Sequence, residues 1–320
     1  MDRVLTLEFV RVTEAAAVKA GRLMGKGDKM GADQLAVDGM HSILASVPID
    51  GTVVIGEGEM DEAPMLYIGE KVGAGGTEVD IAVDPLEGTN LTAKGQDGSI
   101  AVMAIAGKGN LLHAPDMYME KLCVGPRAKG RIDLSQPVQE NLRRIAEGLE
   151  RGIDDLTVVI LDRPRHKEII DECRSAGARI KLITDGDVSP AVDVGIEGSG
   201  VHVLMGIGGA PEGVLAAAAL KCLGGDMQAR LIPYTDEERK RCWEMGIDDI
   251  NRVMTLDDLV KGDDCIFSAT AITDTPMMRG VQYGGGARTM SVVMRYKSGT
   301  IRFIDTFHRF DKKAKWSIHL

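Results

Sequence analysis

The run Glu78-Val79-Asp80-Ile81-Ala82-Val83 passes without a break into Asp84-Pro85-Leu86-Glu87-Gly88-Thr89. Its first part alternates around apolar residues, as a β-strand does. Its second part puts two carboxylates and a hydroxyl on one turn leaving that strand. Pro85 fixes its own φ at about −65° and keeps Asp84 extended, while Gly88 lets the backbone turn sharply toward a ligand. Asp84 and Glu87 can then converge on one hard cation. Thr89 falls at the start of the next helical turn, where free N–H groups favour an anion such as phosphate. The plainer reading of the same residues is an Asx-turn followed by a helix cap.

With 320 residues, 44% of them hydrophobic, the chain can fill one large core or, as read here, two packed domains. Aromatics are only 4% and methionines number 17, so the core should be aliphatic. The net charge of −10 argues against nucleic acid or an anionic membrane as partner, since both need a basic face. No apolar run approaches the roughly 18 to 20 residues that span a bilayer. Met1-Asp2-Arg3 leads into an amphipathic segment rather than a signal sequence, and a cytoplasmic location is expected. Cys123, Cys173, Cys222, Cys242 and Cys265 are widely spaced and odd in number, which fits reduced, buried thiols.

Apolar spacing predicts a long helix from Arg3 to Met24 and a second from Gln34 to Val47. Strands are expected at Thr52 to Ile55, Val79 to Val83 and Ser99 to Ala106, which makes residues 1–150 an α+β domain carrying the metal site. After a helix at Val138 to Leu149, short apolar strands at Leu156 to Leu161, Ile180 to Thr184 and Val201 to Met205 alternate with helices at Lys167 to Ala176, Pro190 to Val194 and Gly213 to Leu223. That alternation predicts βαβ units, so residues 151–320 are expected to form an α/β domain with a mostly parallel sheet that completes the substrate site. Thr289 to Arg295 and Thr300 to Asp305 read as a hairpin around Lys297-Ser298-Gly299.

In open α/β sheets ligands sit beyond the carboxyl ends of strands. Glu57, Asp84 and Glu87 close strands, Glu212 follows Gly206-Ile207-Gly208-Gly209-Ala210-Pro211, and Asp33 stands at the head of a helix. Five carboxylates with no His or Cys beside them suit Mg²⁺ or Mn²⁺ far better than zinc. Each also has a plain role: Asp33 as N-cap, Glu57 as a strand-end charge, Glu212 as a first-turn acid. The glycine run fails the dinucleotide template because Pro211 takes the place of its third glycine, and it reads as a tight strand-to-helix loop. Arg163-Pro164-Arg165-His166 and Asp185-Gly186-Asp187 lie at strand ends. The arginines can fork around a phosphate held away from the metals and the aspartates can accept from sugar hydroxyls, or both can be solvated turns. Tyr118 reads as a core or rim tyrosine.

Asp84-Pro85-Leu86-Glu87-Gly88-Thr89-Asn90 resembles the metal-binding signature of the lithium-sensitive phosphatase superfamily, which includes inositol monophosphatases and fructose bisphosphatases. Glu87, where monophosphatases of that superfamily have Asp, is similar to the class II fructose-1,6-bisphosphatases of GlpX type. So are Gly56-Glu57-Gly58-Glu59, Arg163 to His166, Thr184 to Asp187 and Gly208 to Glu212. The resemblance runs over essentially the whole chain. It implies a layered α/β/α/β/α sugar-phosphatase fold of α/β class, with a mixed N-terminal sheet, and Mn²⁺ or Mg²⁺ held by Asp33, Glu57, Asp84, Glu87 and Glu212. It implies substrate contacts from Glu87, Gly88, Thr89, Tyr118, Arg163, Pro164, Arg165, Asp185, Gly186, Asp187 and Gly209. Thr89, Glu57 and Asp33 would be catalytic, with Thr89 orienting or deprotonating the attacking water. The expected reaction removes the 1-phosphate of fructose 1,6-bisphosphate, and a homo-oligomer, dimer or tetramer, is expected. Sedoheptulose 1,7-bisphosphate is a rival or additional substrate, since one more CHOH tests only the sugar pocket. Glu87 and the arginine pair speak against an inositol-type monophosphatase, and the intact set of acids speaks against a non-catalytic sugar-phosphate sensor.

Overall fold

A computed structural model describes residues 1–58 and 64–312. They fall into two compact units, Met1–Leu111 with Gly262–Leu320, and Leu112–Lys261. The first unit therefore takes both ends of the chain, unlike the division near residue 150 expected from sequence. The physical reason is strand pairing: the last strands return to the first sheet.

The chain opens with α1 (Leu5–Ala20) and α2 (Lys29–Leu44). Asp28 caps α2 by accepting from the Gly31 N–H at 2.9 Å, so the helix starts a turn earlier than expected and Asp33 is not its cap. Then come β1 (Ile49–Ile55), β2 (Lys71–Val72), β3 (Thr77–Glu87), α3 (Thr89–Lys94) and β4 (Ile100–Gly107). The second unit holds β5 (Tyr118–Val124), α4 (Val138–Leu149), β6 (Thr157–Leu161), α5 (Lys167–Ser175), β7 (Arg179–Ile183), α6 (Val188–Asp193) and β8 (Val203–Gly209). It continues through α7 (Ala210–Leu223), β9 (Asp226–Ile232), α8 (Asp236–Glu244), β10 (Met254–Thr255) and α9 (Leu256–Leu259). The chain then re-enters the first unit with β11 (Cys265–Ala271), β12 (Gln282–Tyr283), β13 (Ala287–Arg295) and β14 (Thr300–His308).

The first sheet has the order β12-β13-β11-β4-β3-β1-β2, with β14 on β13. It is mixed, as expected: β1 runs parallel to β3 and the other pairs are antiparallel. The expected hairpin is β13 and β14, turned at Gly299 with φ +57°. The second sheet has the order β10-β9-β5-β8-β6-β7. Here the expectation of a mostly parallel sheet is corrected. Only β6 with β7 and β6 with β8 are parallel, because β5 inserts antiparallel between β8 and β9. Gly206 to Gly209, expected as a loop, pair with Lys121 to Tyr118 inside that sheet.

A mostly aliphatic core, with Phe9 packed among residues such as Met40, Leu44, Ile81 and Ile105, fills the first unit. α1 also carries Thr13 into it, where the hydroxyls of Thr13, Ser268, Thr270 and Ser291 bond one another within 3.2 Å. Buried polar groups so satisfied fix the position of the helix on the sheet without a desolvation penalty. Against the other side of α1 lies Gly39 of α2. A Cβ there would fall 2.6 Å from the Ala15 carbonyl oxygen, so the close approach of the two helices requires glycine. Helix propensity alone would make Gly39→Ala stabilising by about 1 kcal/mol. Overpacking against backbone costs about 1–3 kcal/mol, and the clash is expected to win: the urea midpoint of Gly39→Ala should fall below wild type at unchanged slope.

Candidate functional site

The first unit gathers acids around the ends of β1 and β3. β3 runs on through Pro85 to Glu87, and its pairing with β4 shifts by one residue between Asp84 and Glu87. This β-bulge, rather than a turn after the strand, brings carboxylate oxygens of Asp84 and Glu87 within 4.8 Å of each other. Asp84 also makes the plain contact foreseen for it, accepting from the Leu86 N–H at 3.0 Å. Glu87 is buried. Gly88, with φ +84°, holds the N-cap position of α3, so Thr89 is not the cap. The Thr89 hydroxyl donates to the Leu86 carbonyl at 3.2 Å.

Glu57 follows β1 in a loop fixed by backbone bonds, Glu57 N–H to the Leu66 carbonyl at 3.0 Å and Ile68 N–H to the Gly58 carbonyl at 2.9 Å. A Cβ on Gly56 would come within 1.9 Å of the Leu66 oxygen, so this approach belongs to glycine. Glu59, quoted with this motif, lies outside the described residues. Burial, and after it the charge of Asp33, push the Glu57 carboxyl up to about 7. Burial raises Asp33 as well. Acids whose pKa is raised by burial and by a neighbouring carboxylate are relieved by a proton or by a cation.

In the second unit the charged centre is Lys121 of β5, buried and paired with Asp187 at 2.7 Å. Burial works against its charge, but Asp187 and then Glu212 outweigh it and raise the Lys121 pKa. Glu212 is raised by burial, against the pull of Lys121. At Gly208 and Gly209 carboxylates occupy the space that a side chain would take. A Cβ would lie 2.1 Å from Asp187 Oδ2 at the first and 1.8 Å from Glu212 Oε2 at the second. Asp187, expected to meet a sugar hydroxyl, thus has a lysine partner at one oxygen. Asp185 is half-buried beside Gly186, which takes φ +73°.

Arg165 donates from Nε and Nη2 to the Ile207 carbonyl at 3.2 and 2.8 Å and lies 4.7 Å above the Tyr118 ring centre. Tyr118 in turn meets Tyr234 edge-on at 5.5 Å. Arg163 donates to the Asp162 carbonyl at 3.1 Å, so each arginine is anchored to a different carbonyl. A guanidinium carries more N–H donors than either anchor uses. Pro164 starts the 3₁₀ turn that presents them. His166 locks this loop to β8, bonding the Leu161 carbonyl through Nδ1 and accepting from the Ile207 N–H through Nε2, both at 2.7 Å. Burial first, then Arg165 and Arg163, lower its pKa and keep the ring neutral. Lys121, His166 and Tyr234 were not assigned roles from sequence. A lysine amid Leu122, Cys123 and Val124 was the one available signal.

The chemistry fits a hard divalent ion. The donors are carboxylates, and all five cysteines are buried. Glu212 Oε2 is buried without a hydrogen-bond partner, which is costly unless a cation or donor meets it. Replacing Lys121 by Met would leave the Asp187 carboxylate buried and unpaired. The expected loss is on the order of 3–5 kcal/mol of unfolding free energy, measured by denaturant titration of the purified variant.

The family model described as bacterial fructose-1,6-bisphosphatase, glpX-encoded, matches residues 3–308. A protein of Synechococcus sp. strain JA-3-3Ab named D-fructose 1,6-bisphosphatase class 2/sedoheptulose 1,7-bisphosphatase is 51% identical, over 100% of both chains. Proteins of the same name from Synechococcus elongatus and Crocosphaera subtropica are 50% and 49% identical. These alignments cover 97% and 96% of this chain and 98% and 97% of theirs.

Proposed function

Since the chain belongs to the glpX-encoded bacterial fructose-1,6-bisphosphatase family, we propose that it hydrolyses the 1-phosphate of fructose 1,6-bisphosphate to give fructose 6-phosphate and phosphate, a gluconeogenic step. The family match from residue 3 to 308 carries this reading, because it spans every acid and arginine of the site. The enzyme is a metal-dependent phosphoric monoester hydrolase. Mn²⁺ or Mg²⁺ is the proposed ion, with Asp33, Glu57, Asp84, Glu87 and Glu212 as its ligands. What a bound divalent ion supplies there is polarisation of phosphoryl oxygens and acidification of water.

The chain's own groups would do the rest. The Thr89 hydroxyl, its hydrogen directed to the Leu86 carbonyl, offers its lone pairs to the hydrogen of an attacking water. Glu57 and Asp33 would share the released proton, a role that their upward-pushed carboxyls support. Glu87, Gly88 and Thr89 would meet the phosphate that leaves. Tyr118, Arg163, Pro164, Arg165, Asp185, Gly186, Asp187 and Gly209 would hold the sugar and the phosphate that stays. No described helix is long and apolar enough to cross a membrane, and the reading places the enzyme in the cytoplasm as a homo-oligomer, dimer or tetramer. A second substrate, sedoheptulose 1,7-bisphosphate, is favoured by the names of the relatives at 49–51% identity.

The decisive assay is phosphate release from the six- and seven-carbon bisphosphates with Mg²⁺ or Mn²⁺, before and after exhaustive chelation. Release that survives chelation, or release from neither sugar, would sink the proposal. Thr89→Ala should lower kcat by about a hundredfold or more with little change in KM or melting temperature, since Gly88 holds the cap position. Thr89→Ser should restore much of the rate, and an alanine variant with near-normal kcat would remove the water-orienting role. Arg165→Ala should raise KM for the bisphosphate and spare a small generic phosphomonoester, because binding lost equally from ground and transition states acts on KM. Equal loss on both substrates would reassign Arg165 to the leaving phosphate.

A further inference from the structure

At the far end of β8 from the glycine run, the second unit holds a cavity of about 310 Å³. Arg127, Arg151, His202, Leu149, Ile196 and Val201 help line it. The Thr157 backbone N–H donates to His202 Nδ1 at 2.9 Å. A backbone N–H can only donate, so Nδ1 is the acceptor and the neutral ring carries its hydrogen on Nε2. Arg151 Nη1 stands 2.6 Å from that Nε2, and a guanidinium has no acceptor. Two donors therefore face one another. Shifting the hydrogen to Nδ1 only moves the conflict to Thr157, and protonating the ring adds that second conflict to the first; burial, then Arg151 and Arg179, hold the His202 pKa down.

The conflict ends if an anionic oxygen lies across Nε2–H and the Arg151 guanidinium and accepts from both. Other charges around the cavity do not fill that place. Glu197 is exposed, Glu150 meets Arg127 at 3.3 Å, and the Asp155 carboxylate, the acid that acts on His202, meets Arg179 at 3.6 Å. Leu149, Val194, Ile196 and Val201 give the lining an apolar part beside the cations, and the volume matches small-molecule sites rather than a bare ion. We propose that this cavity binds a phosphomonoester, its phosphoryl oxygens on His202 and Arg151 and its body against Leu149, Ile196 and Val201. From His202 to Gly208 the chain runs extended for about 20 Å, so the site is separate from the Arg165 loop.

The test uses the full-length enzyme labelled with ¹⁵N-histidine, the His202 ring resonance being identified by its loss in His202→Gln. Phenylphosphonate, which is not hydrolysed, and inorganic phosphate serve as probes. Phenylphosphonate should move the His202 resonance saturably, at least about tenfold more tightly than phosphate if the apolar wall contributes. Arg151→Gln should weaken that binding by about tenfold or more and leave kcat on fructose 1,6-bisphosphate unchanged. No shift of His202, or the same titration in Arg151→Gln, overturns the site. Equal affinity for the two probes overturns the assignment to an ester.

Discussion

Asp84 and Glu87 are three residues apart on one strand, and a regular strand would send them to opposite faces of the sheet. One extra residue in β3 against β4 reverses that phase. Both carboxylates then lie on the same side, within 4.8 Å. Pro85 is admissible there because a bulge interrupts the ladder that its missing N–H would otherwise break. Gly88 beyond it takes a left-handed conformation that starts α3 and sets the Thr89 hydroxyl on the Leu86 carbonyl. The geometry of this acidic corner thus follows from a single irregularity in strand register.

The second unit solves a different problem. Its sheet carries a lysine and its surroundings two carboxylates, at positions where apolar residues would ordinarily sit. Lys121 stays charged because Asp187 and Glu212 compensate its desolvation, and the carboxylates fit because Gly208 and Gly209 yield their side-chain volume. Removing one member of such a set is far more costly than the set is stabilising.

Much of this was legible in the sequence where one physical rule dominates. The helix Val138–Leu149 and the β13–β14 hairpin follow from periodicity and turn chemistry, and the acid-rich strand ends from residue type. Other features depend on partners distant in sequence. β5 was not read as a strand because Lys121 breaks its apolar pattern, and only the Asp187 pair makes that lysine an interior residue. Without β5 the second sheet looks parallel. Asp33 looked like a cap because the apolar spacing reads as a helix from Gln34; Asp28 instead accepts from the Gly31 N–H and starts the helix earlier. The clash between Arg151 and His202 involves hydrogens and lone pairs, on which residue order is silent.

The closure of the first sheet by β11 has a consequence during synthesis. β4 ends at Gly107 and its partner β11 begins at Cys265. At a translation rate of roughly 5–20 residues per second, the open edge of β4 waits on the order of ten to thirty seconds for its neighbour. An unpaired, wholly apolar strand edge invites intermolecular pairing. The intervening residues, 112–261, form a compact unit of their own and can fold during that interval. The middle of the nascent chain can therefore complete before its beginning, and the vulnerable interval lasts until β11 leaves the ribosome.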